Sequence, residues 1–108
     1  MATSYKVLGQ LSPAATTQSN IYIVPGATQT VCSTLAICNR GASTTIRLAV
    51  QPASATITSA MYLAYDSILN ANDSIYLTLG ITLSATDLVS VYANTANVSF
   101  SLFGSEIA

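Results

Sequence analysis

The stretch LVSVYANTANVSFSLFG, residues 88–104, alternates apolar side chains with polar or small ones on both sides of a short break. The apolar side chains that fall on one face are those of Val89, Val91, Val98, Phe100 and Leu102. A repeat of two residues is typical of a β-strand with one buried face. Since Asn94-Thr-Ala-Asn97 has turn chemistry, the stretch predicts two strands, 88–94 and 97–104, joined as a hairpin.

The same repeat of two recurs along almost the whole chain of 108 residues. It predicts eight short strands at 4–11, 20–24, 29–39, 44–51, 61–68, 74–83, 88–94 and 97–104. Short strands with a turn every 8–12 residues are typical of an all-β sandwich or barrel. We therefore expect one domain over 1–108, an antiparallel β-sandwich with a jelly-roll or immunoglobulin-like arrangement.

The sequence also predicts one further hairpin, one bulge and the nature of two connecting segments. Strands 29–39 and 44–51 are expected to form a hairpin around the turn Asn39-Arg-Gly-Ala42. Gly80 predicts a bulge or corner within 74–83. Residues 52–60 are either a loop with one β-bridge or a short helical turn. Residues 12–20, rich in Pro, Ala, Thr and Ser, are either a loop or an arm that reaches a neighbouring subunit.

The composition restricts the classes of partner. Charged residues are only 6 % of the chain, which instead carries 14 Ser, 14 Thr and 16 Ala. A surface with a net charge of −1 gives little repulsion between copies, so we expect a protein that is covered by neighbours. Three basic residues are too few for a nucleic-acid partner. No apolar run approaches the ~20 residues of a membrane span, and the first ten residues lack the apolar segment of a secretory leader.

Enzymatic chemistry finds little support in the residue types. The chain has no histidine, which excludes Ser–His and Cys–His nucleophilic machinery and histidine-ligated zinc. The four acids, Asp66, Asp73, Asp87 and Glu106, show neither the spacing of a calcium loop nor a visible catalytic pair. Asp73 and Asp87 fall in turns, where such side chains bond the local backbone. We therefore expect no enzyme activity, cofactor or metal.

The two cysteines lie six residues apart in VCSTLAICNRG, residues 31–41. Six residues of extended strand span about 20 Å, whereas a disulfide requires Cα atoms within ~7 Å, so two free thiols are expected. If no bulge intervenes, Val31, Leu35 and Ile37 share one face of the strand. The other face is then small and uncharged, and we predict that it contacts a neighbour through Cys32, Thr34, Ala36 and Cys38.

Further interface candidates are Arg40, Arg47, Tyr76 and Tyr92. Arg40 is expected at a turn and Arg47 on the outer face of its strand, where either is suited to fixing the register of an interface by pairing with Asp66, Asp87 or Glu106. Tyrosine is favoured at interfaces because its ring buries area while its hydroxyl keeps a partner. Six tyrosines in a chain without tryptophan also leave open a carbohydrate-binding role, for which a concave cluster of tyrosines would be the sign.

Several blocks of the chain resemble a known class of protein. They are Tyr5-Lys-Val-Leu-Gly-Gln, Ile37-Cys-Asn-Arg-Gly, Tyr65-Asp, residues 72–83, residues 85–93 and Ser99-Phe-Ser-Leu-Phe-Gly-Ser-Glu-Ile. Together they resemble small all-β virion structural proteins of tailed bacteriophages, including phages of cyanobacteria. The resemblance covers nearly the whole chain.

The resemblance implies a virion protein assembled in the host cytoplasm, and our leading hypothesis is a capsid cement or decoration subunit. Such a subunit would associate with itself, with a trimer favoured, and with other virion proteins such as the major capsid protein. The alternative is a neck, tail, baseplate or fibre component, with receptor or carbohydrate binding as a further role.

Overall fold

The computed structural model describes residues 2–108 as eight strands. They are β1 (Thr3–Leu11), β2 (Ser19–Ile23), β3 (Gln29–Asn39), β4 (Thr44–Gln51), β5 (Tyr62–Leu69), β6 (Ser74–Leu83), β7 (Leu88–Ala93) and β8 (Val98–Ile107). The all-β prediction is confirmed, because alternation of side chains reports strands directly. The segment between β4 and β5 contains two short 3-10 turns, 52–54 and 59–61, so a helical turn is the correct alternative there.

The strands form two antiparallel sheets of four, so the predicted sandwich is confirmed. Sheet A has the order β1-β8-β3-β6 and sheet B the order β2-β7-β4-β5. The pairs β1–β8, β2–β7, β3–β6 and β4–β5 are nested, as if one long hairpin had been rolled up. This strand order is that of a jelly roll.

Both predicted hairpins are wrong. Strands β3 and β4 lie in different sheets, and so do β7 and β8. The two turns cross the sandwich side by side at one end, where the Arg40 N–H donates to the Asn97 carbonyl and the Asn94 N–H to the Thr45 carbonyl, at 2.9 and 3.1 Å. Alternation of apolar and polar side chains indicates a strand with one buried face. The same alternation occurs whether the following turn leads to the adjacent strand of the same sheet or to a strand of the other sheet.

The core lies between the two sheets. The five apolar residues of the 88–104 stretch are all fully buried, as predicted, and pack with Leu35, Ile37, Ile46 and Leu48. Burying each such side chain contributes about 1.5–3 kcal/mol. Ile75, Leu77 and Leu79 also face the core but are only half-buried, because β6 lies at the edge of sheet A.

A bulge changes the face on which the first cysteine lies. The register of β3 shifts between Cys32 and Thr34 against both of its neighbours. As a result Cys32 points into the core and is fully buried, whereas Cys38 is exposed. The prediction that Cys32 belongs to the outer face is therefore wrong. Gly80, with φ of +60°, lies at the matching irregularity of β6, where a bulge or corner was predicted.

The segment between β1 and β2 packs on its own chain. The Thr16 N–H donates to the Ala93 carbonyl at 2.9 Å, and the Ser12 hydroxyl donates to the Val98 carbonyl at 3.1 Å. Pro13 is buried. These contacts hold the segment against its own chain in the single subunit.

Candidate interaction surfaces

The outer face of sheet A carries no charged side chain in the part of the chain that the structure describes. Three rows of paired residues cross its four strands from β6 to β1. They are Tyr76-Ala36-Ser101-Gln10, Thr78-Thr34-Phe103-Val7 and Thr82-Val31-Ser105-Tyr5. Paired residues of an antiparallel sheet share a face. We call the outward side chains of these rows the uncharged face.

On the inner strands of the uncharged face Phe103 and Val31 lie beside small and hydroxyl side chains, and the most exposed large side chains stand on the edge strands. Tyr5 is 85 % exposed and Tyr76 72 % exposed, on the opposite edge strands β1 and β6. Removing such a face from water exacts no charge-desolvation penalty, and its hydroxyls readily find new partners. The geometry thus suits burial against another protein surface.

The structure brings four of the predicted interface residues together here. Ala36 pairs with Tyr76, while Thr34 and Cys38 lie on either side of Ala36 along β3. The neighbours of β3 are β6 and β8, not β4 as expected from the predicted hairpin. Arg47 and Tyr92 consequently belong to the other side of the sandwich.

The outer face of sheet B is partly covered by its own chain. Ala49 and Ser90 are paired on this face but fully buried, since the 3-10 turns contact β4 and β7. The Ser90 hydroxyl donates to Gln51 Oε1 at 2.6 Å and accepts from Gln18 Nε2 at 2.8 Å. Gln51 Nε2 in turn donates to the Ala55 carbonyl at 2.8 Å. These bonds attach the covering segments to the sheet.

Next to the covered region lies a cluster of tyrosines around Arg47. The guanidinium carbon of Arg47 lies 4.2 Å from the ring centroid of Tyr65 and 4.3 Å from that of Tyr92. Arg47 Nε donates to Asp66 Oδ1 at 2.6 Å, and this bond raises the pKa of the guanidinium above its usual value. Tyr62 meets Tyr65 edge to face, with centroids 4.8 Å apart. We call these five residues the tyrosine–arginine cluster.

A bulge in β5 explains why two consecutive side chains reach Arg47. Ile46 pairs with Ser67 and Leu48 with Ala64, so Tyr65 and Asp66 together oppose the single residue Arg47. Asp66 has φ of 52°, a conformation that Asp tolerates better than most residues. Strict alternation would have placed the two side chains on opposite faces. No feature of the sequence indicated the cluster except the outward position of Arg47. That predicted position is confirmed.

A shallow groove of about 590 Å³ adjoins the cluster, lined by Ile57, Thr58, Ser59, Tyr62 and Tyr65. Tyr65 is 58 % exposed, so part of its ring remains open to solvent. Aromatic rings beside hydroxyl groups offer both apolar contact and hydrogen bonds to a ligand. The six tyrosines were predicted either to cluster in a concave patch or to lie at contacts, and half of them meet in this region.

The few charged residues are largely engaged within the chain. Arg47 pairs with Asp66, and Lys6 Nζ lies 2.6 Å from Glu106 Oε1. Arg40, at its turn as predicted, donates from Nη2 to the Ser12 hydroxyl at 2.9 Å. Of the acids expected to pair across an interface, Asp66 thus serves its own Arg47. The three basic side chains are therefore bonded within their own chain and are not free to pair with a neighbouring protein.

Glu106 and Tyr22, which contact each other at one end of the core, both have shifted pKa values. The Lys6 ammonium, followed by the Tyr22 hydroxyl, lowers the pKa of Glu106. Burial, followed by the bond to Glu106, raises the pKa of Tyr22. The Tyr22 hydroxyl thus donates to Glu106 and accepts from Thr30. Lys6, Glu106, Tyr22 and Thr30 thus form a hydrogen-bonded network at one end of the core, in which the Glu106 carboxylate is already bonded to Lys6 and Tyr22.

Within residues 2–108 no three His, Cys, Asp or Glu side chains come together as a metal site would require. No helix among the described residues has the length and apolar character of a membrane span. Comparison of the chain with protein-family models and with curated proteins finds no match. The uncharged face and the tyrosine–arginine cluster are therefore interpreted from their own chemistry.

Proposed function

We propose that this protein is a non-enzymatic structural subunit of a tailed-phage virion that attaches to other virion proteins through its uncharged face. The observation that carries the proposal is the absence of charge from all three rows of that face among the described residues. The sequence resemblance supplies the virion setting. The jelly-roll strand order is compatible with it, since capsid proteins, lectins and cupins share that architecture.

A capsid cement or decoration role is the form of this proposal that the uncharged face supports best. Burial of one sheet face gives a single copy a modest binding free energy. Symmetric copies on a shell then add their contacts, because each further contact is made at high effective concentration. The protein would thereby stabilise the particle without any chemical step.

The test compares particles that lack the protein with particles to which it is added back. Native protein is expected to bind and to raise the temperature at which the capsid opens. Ala36→Lys places a charge on an inner strand of the uncharged face and is expected to abolish binding while the chain stays folded. Ile68→Lys, at a 76 % exposed position of sheet B, is the matched control and should bind normally. Equal binding of both variants would contradict this face as the contact, and unchanged capsid stability would contradict the cement role.

A second candidate, recognition of a host-surface carbohydrate, is favoured by the groove at Tyr62 and Tyr65. The chain has no tryptophan, so its emission comes from tyrosine and would report a sugar on these rings. Titration with oligosaccharides of the host envelope is expected to change this emission in the native protein and not in Tyr65→Ala. Tyr76→Ala, on the uncharged face, is the control. No response of the native protein to any host glycan would contradict this candidate.

A further inference from the structure

Strand β6 leaves one of its sides unpaired in the described chain. It pairs with β3 and ends sheet A. Its ten residues, SIYLTLGITL, contain no charge and no proline. A long, uncharged edge strand presents a row of backbone donors and acceptors to another strand.

The other edge strands carry features that oppose such pairing. Strand β1 bears Lys6 and a register shift after Val7. Strand β2 has only five residues and is itself interrupted by a register shift. Strand β5 has two shifts and carries Asp66. Charges, shortness and bulges are the usual protections of sheet edges, and β6 has only the irregularity near Gly80.

The core is also incompletely covered along β6. Ile75, Leu77, Leu79 and Ile81 face the core yet are only half-buried, whereas Leu35 and Ile37 in the adjacent β3 are at most 1 % exposed. On the outer side of the same strand Tyr76 is 72 % exposed. The backbone edge and the apolar side chains beside it therefore both lack a cover in the single chain.

We propose that β6 pairs antiparallel with β6 of a second copy, so that the two A sheets join into one sheet of eight strands. The regular part of β6 is Ser74–Thr78, before the irregularity at Gly80. Full overlap of this segment with itself places Tyr76 opposite Tyr76 of the second copy. Ile75 then faces Leu77 of that copy on the core side.

Self-pairing is the arrangement that this segment fits best. An antiparallel strand pair about a two-fold axis is self-complementary, so one surface serves both copies. In the register centred on Tyr76, apolar residues meet apolar ones, Ser74 meets Thr78, and no like charges face each other. The result is a two-fold dimer, in place of the trimer expected from the resemblance. The pairing is independent of particle attachment and extends beyond the proposed function.

The experiment tests this register by engineered cross-linking. Tyr76→Cys is introduced into the 108-residue chain that also carries Cys38→Ser, because Cys38 is exposed. Directly opposed residues of antiparallel strands have Cα atoms about 4.5–5.5 Å apart, which is within disulfide range. Mild oxidation is expected to convert most of the protein into a covalent dimer. The matched control is Ser101→Cys, which lies in the same row but on an inner strand and should stay monomeric on a denaturing gel.

A second measurement avoids dependence on oxidation. Light scattering of the native protein is expected to give twice the 11.2 kDa mass of the chain. Tyr76→Lys and Tyr76→Glu should each give the monomer mass, and an equal mixture of the two should recover the dimer. A native monomer, or a cross-link through Ser101→Cys instead of Tyr76→Cys, would overturn the proposal. The latter result would show packing between faces and not between edges.

Discussion

The two cysteines of the chain lie six residues apart but have opposite environments. The bulge at Ser33 turns Cys32 into the core, while Cys38 remains on the outer side of β3. Burial raises the pKa of Cys32 to about 11. Since the thiolate is the nucleophile, burial suppresses the reactivity of Cys32 both by steric exclusion and by keeping its proton.

We predict that a thiol reagent at mildly alkaline pH modifies Cys38 rapidly and Cys32 only after unfolding. Mass spectrometry should find a single label on the folded chain and a second one in denaturant. Cys38→Ser is the control and should leave the folded protein unlabelled. Labelling of both thiols at similar rates in the folded protein would show that β3 lacks the bulge and that Cys32 faces outward.

The strands themselves could be predicted from the sequence, but their partners could not. Alternation is a local property, so each strand boundary was predicted to within about three residues, as for β8 and β6. Pairing depends on residues far apart in the chain, such as Thr3 with Ile107. A turn like Asn94–Asn97 has the same composition whether it closes a hairpin or crosses a sandwich, and for this reason both hairpins were predicted wrongly.

The candidate surfaces were predictable to the extent that alternation holds. Thr34, Ala36, Cys38 and Tyr76 were placed correctly on one outer face because β3 after its bulge and the start of β6 are regular. The tyrosine–arginine cluster depends on two consecutive residues of β5 facing Arg47. Bulges break the repeat of two without a reliable sequence signal, except where a glycine such as Gly80 marks them.

Asp87 joins two connections of the fold, and its pKa gives that link a pH dependence. Asp87 Oδ1 accepts the Ala53 N–H at 2.8 Å, and Oδ2 accepts the Ser84 N–H at 2.9 Å. The bond from Ala53, followed by that from Ser84, lowers the pKa of Asp87. The stabilisation is therefore present above the unfolded-state pKa of about 3.9 and is lost as the pH falls through the lower folded-state value.

We predict that Asp87→Asn lowers the Tm by a few degrees at neutral pH, because the amide retains only one acceptor oxygen. The Tm difference from the native protein should shrink as the pH falls below about 4 and disappear below the lowered folded-state pKa, where the carboxylate of the folded native protein is itself protonated. Limited proteolysis should also cleave the variant faster within residues 52–61. Asp73→Asn is the control, since Asp73 Oδ1 accepts only from the adjacent Ser74 N–H. A constant Tm difference across pH would contradict the role of the charge.

In the nested topology of the whole molecule, some paired strands are close in the sequence and others lie near its opposite ends. Leu69 of β5 pairs with Thr44 of the preceding strand. Leu102 of β8 pairs with Leu35 and with Gly9, near the start of the chain. Because distant contacts carry a larger loop-closure entropy, all-β domains of this kind fold in milliseconds to seconds. We therefore expect β4 and β5 to pair before β8 joins sheet A.

Truncation of Leu69 and of Leu102 tests this order of strand pairing. The two residues are matched, because both are core leucines no more than 1 % exposed. Leu69→Ala and Leu102→Ala should each cost about 2–5 kcal/mol of unfolding free energy. We predict that Leu69→Ala acts mainly by slowing folding, since its contacts form early. Leu102→Ala should act mainly by accelerating unfolding. Stopped-flow chevrons for the two variants measure both rates, and the opposite partition would show that β8 docks onto sheet A before β4 and β5 pair.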